Sequence, residues 1–193
     1  GAILPAAYFS DLNTLEHLKP IFNAADDIGA HFMIHPGPRA EELETAVEYR
    51  DFAMHRGSVL DLQNSVSHAM ITLVMSDFLQ DFPNVTIQFI NLGGTIPFIF
   101  ERMEYVTEVR TPDAPRDLKD RMRGVFVDSG SMGPRALELA TQLFGPDRIM
   151  LGTDYPFFPT SRSQEVVDEA NLTEDQKTMI RKTTAEALLE KYK

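Results

Sequence analysis

Arg148-Ile149-Met150-Leu151-Gly152-Thr153-Asp154-Tyr155-Pro156 is a short apolar run that gives way to polar residues and a proline. Three other stretches repeat the arrangement. His31-Phe32-Met33-Ile34-His35 runs into Pro36, Val85-Thr86-Ile87-Gln88-Phe89-Ile90 into Asn91-Leu92-Gly93-Gly94, and Gly124-Val125-Phe126-Val127-Asp128 into Ser129-Gly130. Each run is mostly apolar rather than cleanly alternating, as expected of strands covered on both faces. Each ends in a polar residue close to Gly or Pro, the punctuation of a turn. The opening Gly1-Ala2-Ile3-Leu4-Pro5 reads as the tail of a further strand running into a loop.

Helical patterns fill the intervals. Leu12, Leu15, Leu18, Phe22, Ala25 and Ile28 recur at helical spacing, with Pro20 predicted in the first turn of a helix. Leu43, Ala46, Val47 and Phe52 predict a second helix stopping near Gly57. Leu62, Val66, Ala69, Met70, Leu73, Val74 and Leu79 predict a long apolar third helix closed by Pro83. Ile96 to Val109 and Pro134 to Phe144 supply two more, and the last stretch of the chain is helical and polar. Thr111-Pro112-Asp113-Ala114-Pro115, with two prolines, is the expected mobile loop. Strands that alternate with helices in this way build an α/β fold with a parallel sheet, because parallel neighbours need crossovers.

The chain has 193 residues, 43% of them hydrophobic and 24% charged, so residues 1–193 are expected to form a single globular domain. Eighteen Lys and Arg face 29 Asp and Glu, a formal charge of −11. Such a chain repels phosphate backbones, so no nucleic-acid partner is expected. The absence of cysteine excludes disulfides, thiolate zinc sites and cysteine nucleophiles, and is compatible with a cytoplasmic location. No apolar stretch is long enough for a membrane helix.

In parallel α/β folds the functional groups gather at the carboxyl ends of the strands. His35 stands at one such end, where imidazole can ligate a metal or act as a base, or simply cap a carbonyl. Asp154 stands at another, placed to bind a metal or take a proton from bound water, or to cap a turn. Gly93-Gly94 allows close backbone approach, but no G-x-G-x-x-G and no Walker lysine accompanies it. Arg102 and Arg110 flank the Ile96–Val109 helix, free to anchor a substrate carboxylate or to pair with Glu101, Glu104 or Glu108. His31, at the opposite end of its strand, reads as structural, and Met33, Met70, Met75 and Met150 as core fillers.

Together, Ile34-His35-Pro36, Asn91-Leu92-Gly93-Gly94-Thr95-Ile96-Pro97-Phe98 with Glu101-Arg102, Val127-Asp128-Ser129-Gly130, Phe144 to Phe157 and Thr184-Ala185-Glu186-Ala187-Leu188-Leu189 resemble the amidohydrolase-related family that includes aminocarboxymuconate-semialdehyde, resorcylate and carboxyvanillate decarboxylases. The resemblance implies a (β/α)8 TIM barrel of the metal-dependent hydrolase type, with this chain covering roughly strands 5–8 and the C-terminal helices. It implies a divalent metal, usually zinc, with His35 and Asp154 as ligands and as the catalytic pair. It places Asn91, Arg102 and Arg110 near the substrate, and suggests a small carboxylated or aromatic substrate.

Two departures stand out. Asn91 occupies the position where the family has a sixth-strand histidine, and Asn hydrogen-bonds without shuttling protons near neutral pH. The family's first-strand His-x-His pair is absent. The expectations are therefore three: a metal-dependent hydrolase or decarboxylase, a metal-independent lactonase-like member using Asp154 and His35 as acid and base, or a non-catalytic half-barrel. A half-barrel leaves sheet edges and an inner face open, so a homo-oligomer is expected. Against the roughly 250 residues of a complete barrel, the 193 here are short.

Overall fold

The computed structural model describes residues 1–43, 49–111, 113 and 121–192. Its centre is a parallel sheet of five strands: β1 (Ala2–Pro5), β2 (His31–His35), β3 (Thr86–Phe89), β4 (Val125–Asp128) and β5 (Ile149–Met150). Spatial order equals chain order. Every crossover thus steps to the next position in one direction. This is the winding of a barrel arc; a doubly wound sheet reverses at a switch point. The opening residues, expected as the tail of a further strand, pair as β1, so the four apolar runs become five strands. The last strand is shorter than its sequence suggests, because Leu151 turns away to donate its N–H to the Ile180 carbonyl at 2.9 Å.

The strands present two different faces. Phe32, Ile34, Ile87, Phe89, Val125, Val127 and Ile149 are buried in the main core beneath the helices. Alternate residues, Met33, Gln88, Phe126, Asp128 and Met150 among them, line the other face, as a period of two demands. Gln88 and Asp128 are therefore polar groups inside a fold whose strands otherwise read as apolar.

The helices are α1 (Leu12–Glu16), α2 (Lys19–Ile28), α3 (Ala53–His55), α4 (Leu62–Met75), α5 (Ile96–Arg110), α6 (Pro134–Phe144), α7 (Thr160–Glu169), α8 (Glu174–Thr178) and α9 (Thr184–Glu190). Pro20 sits in the first turn of α2, whose Phe22 is fully buried at the hub of an aromatic cluster. Ring centroids of Phe9, Phe32, Phe78 and Phe82 lie 4.9–6.4 Å from that of Phe22.

Gly57 does not stop a helix. It lies within a π-helical stretch, Arg56–Asp61, that carries α3 directly into α4. Its φ is not positive, so it makes no left-handed cap. Leu43 and Phe52 are exposed rather than packed; Ala46 and Val47 lie outside the described residues, as do Pro112, Ala114 and Pro115 of the expected mobile loop. The third helix ends at Met75, short of Leu79, because Ser76 adopts an extended conformation. The C-terminal α9 lays Leu188 and Ala185 against Phe126 and Met150 on the inner face. Beyond it, the Tyr192 hydroxyl meets Thr86 Oγ1 at 3.1 Å, where β3 begins.

Gly94 ties α4 to the turn after β3. A Cβ there would meet the Gln63 carbonyl oxygen at 2.4 Å and Ser67 Oγ at 2.5 Å, with φ at +71°. Ser67 Oγ also accepts the Thr95 N–H at 2.8 Å. Gly94→Ala is therefore expected to cost about 1–3 kcal/mol, read as a lower urea midpoint with an unchanged m-value.

Candidate functional site at the strand ends

Chain reversal at the carboxyl ends of β2 to β5 brings His35, Asn91, Asp128, Ser131 and Asp154 onto one side of the sheet. The backbone there is unusual. Among the described residues, the non-glycine residues with positive φ are Phe52, Asn91, Leu92, Ser131 and Asp154. All but Phe52 belong to the strand-end turns. Such conformations cost of order 1 kcal/mol or more each and persist where the surrounding fold over-determines them, typically at functional sites.

His35 Nδ1 lies 2.9 Å from the Pro36 carbonyl oxygen. A carbonyl only accepts, so Nδ1 carries a proton here, and of the two neutral tautomers this bond selects the one with its lone pair on Nε2. This is the arrangement that readies imidazole for a metal or a proton. Asp154 is half-buried, and its carboxylate has no hydrogen bond among the described residues. Its main-chain carbonyl does the capping instead, accepting the N–H groups of Phe157 at 2.9 Å and Phe158 at 3.3 Å. The side chain is thus left free for a ligand.

Asn91 is 2% exposed. Ser131 Oγ donates to its Oδ1 at 3.4 Å, which assigns the oxygen and leaves the amide Nδ2 without a partner among the described residues. Arg102 and Arg110 are exposed on α5 and are neither ion-paired nor hydrogen-bonded to any described residue, Glu101, Glu104 and Glu108 included. Arg110 ends a helix that begins beside Asn91, so it stands about 20 Å away along the axis. Neither arginine is hydrogen-bonded or ion-paired to His35, Asn91, Asp128 or Asp154 among the described residues.

Asp128 is the residue that sequence reading passed over. Its Oδ2 accepts from Gln88 Nε2 at 2.6 Å, and its Oδ1 from the N–H groups of Asn91 at 3.2 Å and Gly130 at 3.0 Å. Burial pushes its carboxyl up from the usual range, the three donors pull it down, and nearby Asp154 adds to the rise. Its signal was in the sequence: it ends its strand just as His35 ends β2, and Gln88 stands alone among apolar neighbours. His31 is structural, as expected. Burial lowers its pKa, and its nitrogens meet Thr86 Oγ1 at 2.8 Å and Gln88 Oε1 at 3.3 Å. No group of three or more His, Asp or Glu that could hold a metal occurs among the described residues, so His35 and Asp154 supply at most part of a ligand set. No helix among them is long and apolar enough to cross a membrane.

A family model described as amidohydrolase matches residues 2–191. The 2-amino-3-carboxymuconate-6-semialdehyde decarboxylase of Dictyostelium discoideum is 26% identical over 145 residues, 72% of this chain and 38% of that protein. Among solved structures, 5-carboxyvanillate decarboxylase from Sphingomonas paucimobilis matches with a TM-score of 0.76 at 22% identity, covering 97% of this chain and 57% of that one. A dihydroxybenzoic acid decarboxylase from Polaromonas, with bound manganese and the inhibitor 2-nitroresorcinol, matches with a TM-score of 0.73 at 18% identity, covering 90% of this chain and 54% of that one. The chain thus spans between about two fifths and three fifths of the length of these proteins.

Proposed function

Because the chain belongs to the amidohydrolase family, whose model matches almost its whole length, we propose that it carries the C-terminal strand-end groups of a metal-dependent decarboxylase of a small aromatic carboxylic acid. The observation that carries this reading is the pair of unclaimed donors: the bare Nε2 of His35 and the free carboxylate of Asp154, each at a strand end. Imidazole and carboxylate suit a borderline divalent cation, and manganese accompanies a structural relative. Both residues therefore fit as ligands, with the remainder of the set coming from outside the described residues. A bound divalent cation would polarise a substrate oxygen as a Lewis acid.

The other roles belong to the chain itself. Decarboxylation breaks a carbon–carbon bond, releases CO2, leaves the electron pair on the ring and places a proton at the vacated carbon. Asp154, open to ligand, is the group to take up a proton from solvent and pass it to that carbon, returning to the carboxylate. Asn91 Nδ2, its oxygen turned toward Ser131, donates to the substrate carboxylate. It serves as a neutral donor where a histidine would also exchange protons.

The test is CO2 release from a hydroxybenzoate such as 2,6-dihydroxybenzoate. EDTA treatment is expected to abolish it and added Mn2+ to restore it, with Zn2+ tested in parallel. One observation favours a second reading: among the described residues no group of three or more ligand-type side chains could hold a metal. In that reading Asp154 and His35 act as acid and base without metal. Full activity after chelation, with less than stoichiometric metal by elemental analysis, selects it.

A further inference from the structure

We infer that Asp128 is the positioning residue of the strand-end face, setting the turn that carries Asn91 and the floor beneath Asp154; the inference rests on the reading of those two residues as ligand-facing. One buried carboxylate touches three successive strand ends. From β3 it takes the Gln88 amide and the Asn91 N–H, and from the β4 turn the Gly130 N–H. Toward β5 it packs flat on Gly152, where a Cβ would come within 2.7 Å of Oδ1 and 2.9 Å of Cγ. Gly152 lies two residues before Asp154. A Cβ on Gly130, on the other side, would meet Oδ1 at 3.0 Å and the Asp154 Cβ at 3.8 Å.

The bond to Asn91 matters most. Asn91 and Leu92 hold φ at 53° and 54°. The N–H that enters this left-handed turn is buried and has Asp128 as its acceptor. Without that acceptor the turn keeps both its strain and a buried unsatisfied donor. The carboxylate cannot swivel, because its second oxygen is fixed from behind. Gln88 turns its amide nitrogen to Asp128, so its oxygen faces His31 Nε2, which must donate. His31 Nδ1 then accepts from the Thr86 hydroxyl, which in turn accepts from Tyr192. Each donor in this chain points toward Asp128, and only an acceptor-only group terminates it without conflict.

Backbone amide hydrogen exchange, followed by NMR on the whole chain, tests the assignment independently of catalysis. In Asp128→Ala the Asn91 and Gly130 amides are expected to exchange about tenfold faster or more, while Ile87 and Val127 within the sheet keep their wild-type rates. Asp128→Asn keeps Oδ1 for those two amides but turns an amide nitrogen against Gln88 Nε2, and is expected to restore their protection in part, to a rate between Asp128→Ala and wild type. Gly152→Ala crowds the carboxylate out of its seat with its charge intact and is expected to accelerate the same two amides, which keeps the test in force should Asp128→Ala fail to fold. Unchanged Asn91 and Gly130 rates in a folded Asp128→Ala or Gly152→Ala protein overturn the assignment. So does acceleration shared equally by Ile87 and Val127, which marks a general loss of stability. Loss of the decarboxylase reading alone would leave these rates as expected.

Discussion

Asp154→Asn is expected to lower CO2 release from an aromatic carboxylate by about 100- to 10,000-fold, the range associated with losing a positioned acid–base group, while leaving the melting temperature essentially where it was. The two halves of that expectation come from the same observation. The Asp154 carboxylate bonds to nothing among the described residues, so replacing it breaks no hydrogen bond there. Its backbone carbonyl, which caps the following turn through Phe157 and Phe158, is untouched. Asparagine also tolerates the left-handed φ of 54°, so the turn keeps its shape. What is removed is a charge and, on the proposed reading, a metal ligand and a proton source. Turnover with the substitution, measured beside thermal unfolding, decides the matter: activity within threefold of wild type would remove Asp154 from the mechanism, whatever the metal does. Mn2+ titration of the same variant by calorimetry is expected to show weakened binding.

Phe22→Ala is expected to have the largest effect on stability, about 3–5 kcal/mol. The ring is fully buried and makes four aromatic contacts: to Phe9 from the turn after β1, to Phe32 on β2, and to Phe78 and Phe82 from the segment leading into β3. Edge-to-face geometry adds a specific component to the area buried. Because those partners come from three places in the chain, the cavity cannot close by moving one element. Urea unfolding monitored by circular dichroism is expected to show the midpoint falling sharply. A loss below about 1 kcal/mol would mean that the site collapses around the vacancy and that the cluster is less rigid than its ring geometry implies.

How much of this was legible beforehand depended on the length scale of the signal. Strands β2, β3 and β4 were readable because their composition is set by burial on the helix-facing side, which leaves Ile34, Phe89 or Val127 little alternative. The strand ends were readable for the related reason that a chain leaving a buried sheet must turn, and turns need Gly, Pro or a polar residue. His35 and Asp154 emerged from that rule. The passage from Ala53 to Met75 was misread at Gly57, because glycine signals a stop only when it takes positive φ, and no local feature of the sequence fixes its φ. Asp128 was missed for a different reason. Its importance lies in what converges on it: amides of residues 88, 91 and 130 that become neighbours only once three crossovers have been made. The freedom of Arg102 and Arg110 from the nearby glutamates was likewise invisible, since helical spacing alone permits those pairs.

Helix α9 also acquires a meaning from where it rests. Leu188 sits on Phe126 and Met150, and Tyr192 reaches Thr86, so this turn behaves as a gasket over the inner face of the sheet. Behind it, Gln88 and Asp128 are buried. A worn gasket is felt elsewhere: removing the chain from Leu188 onward would admit solvent to the polar interior and loosen, from below, a reacting surface that α9 itself does not form.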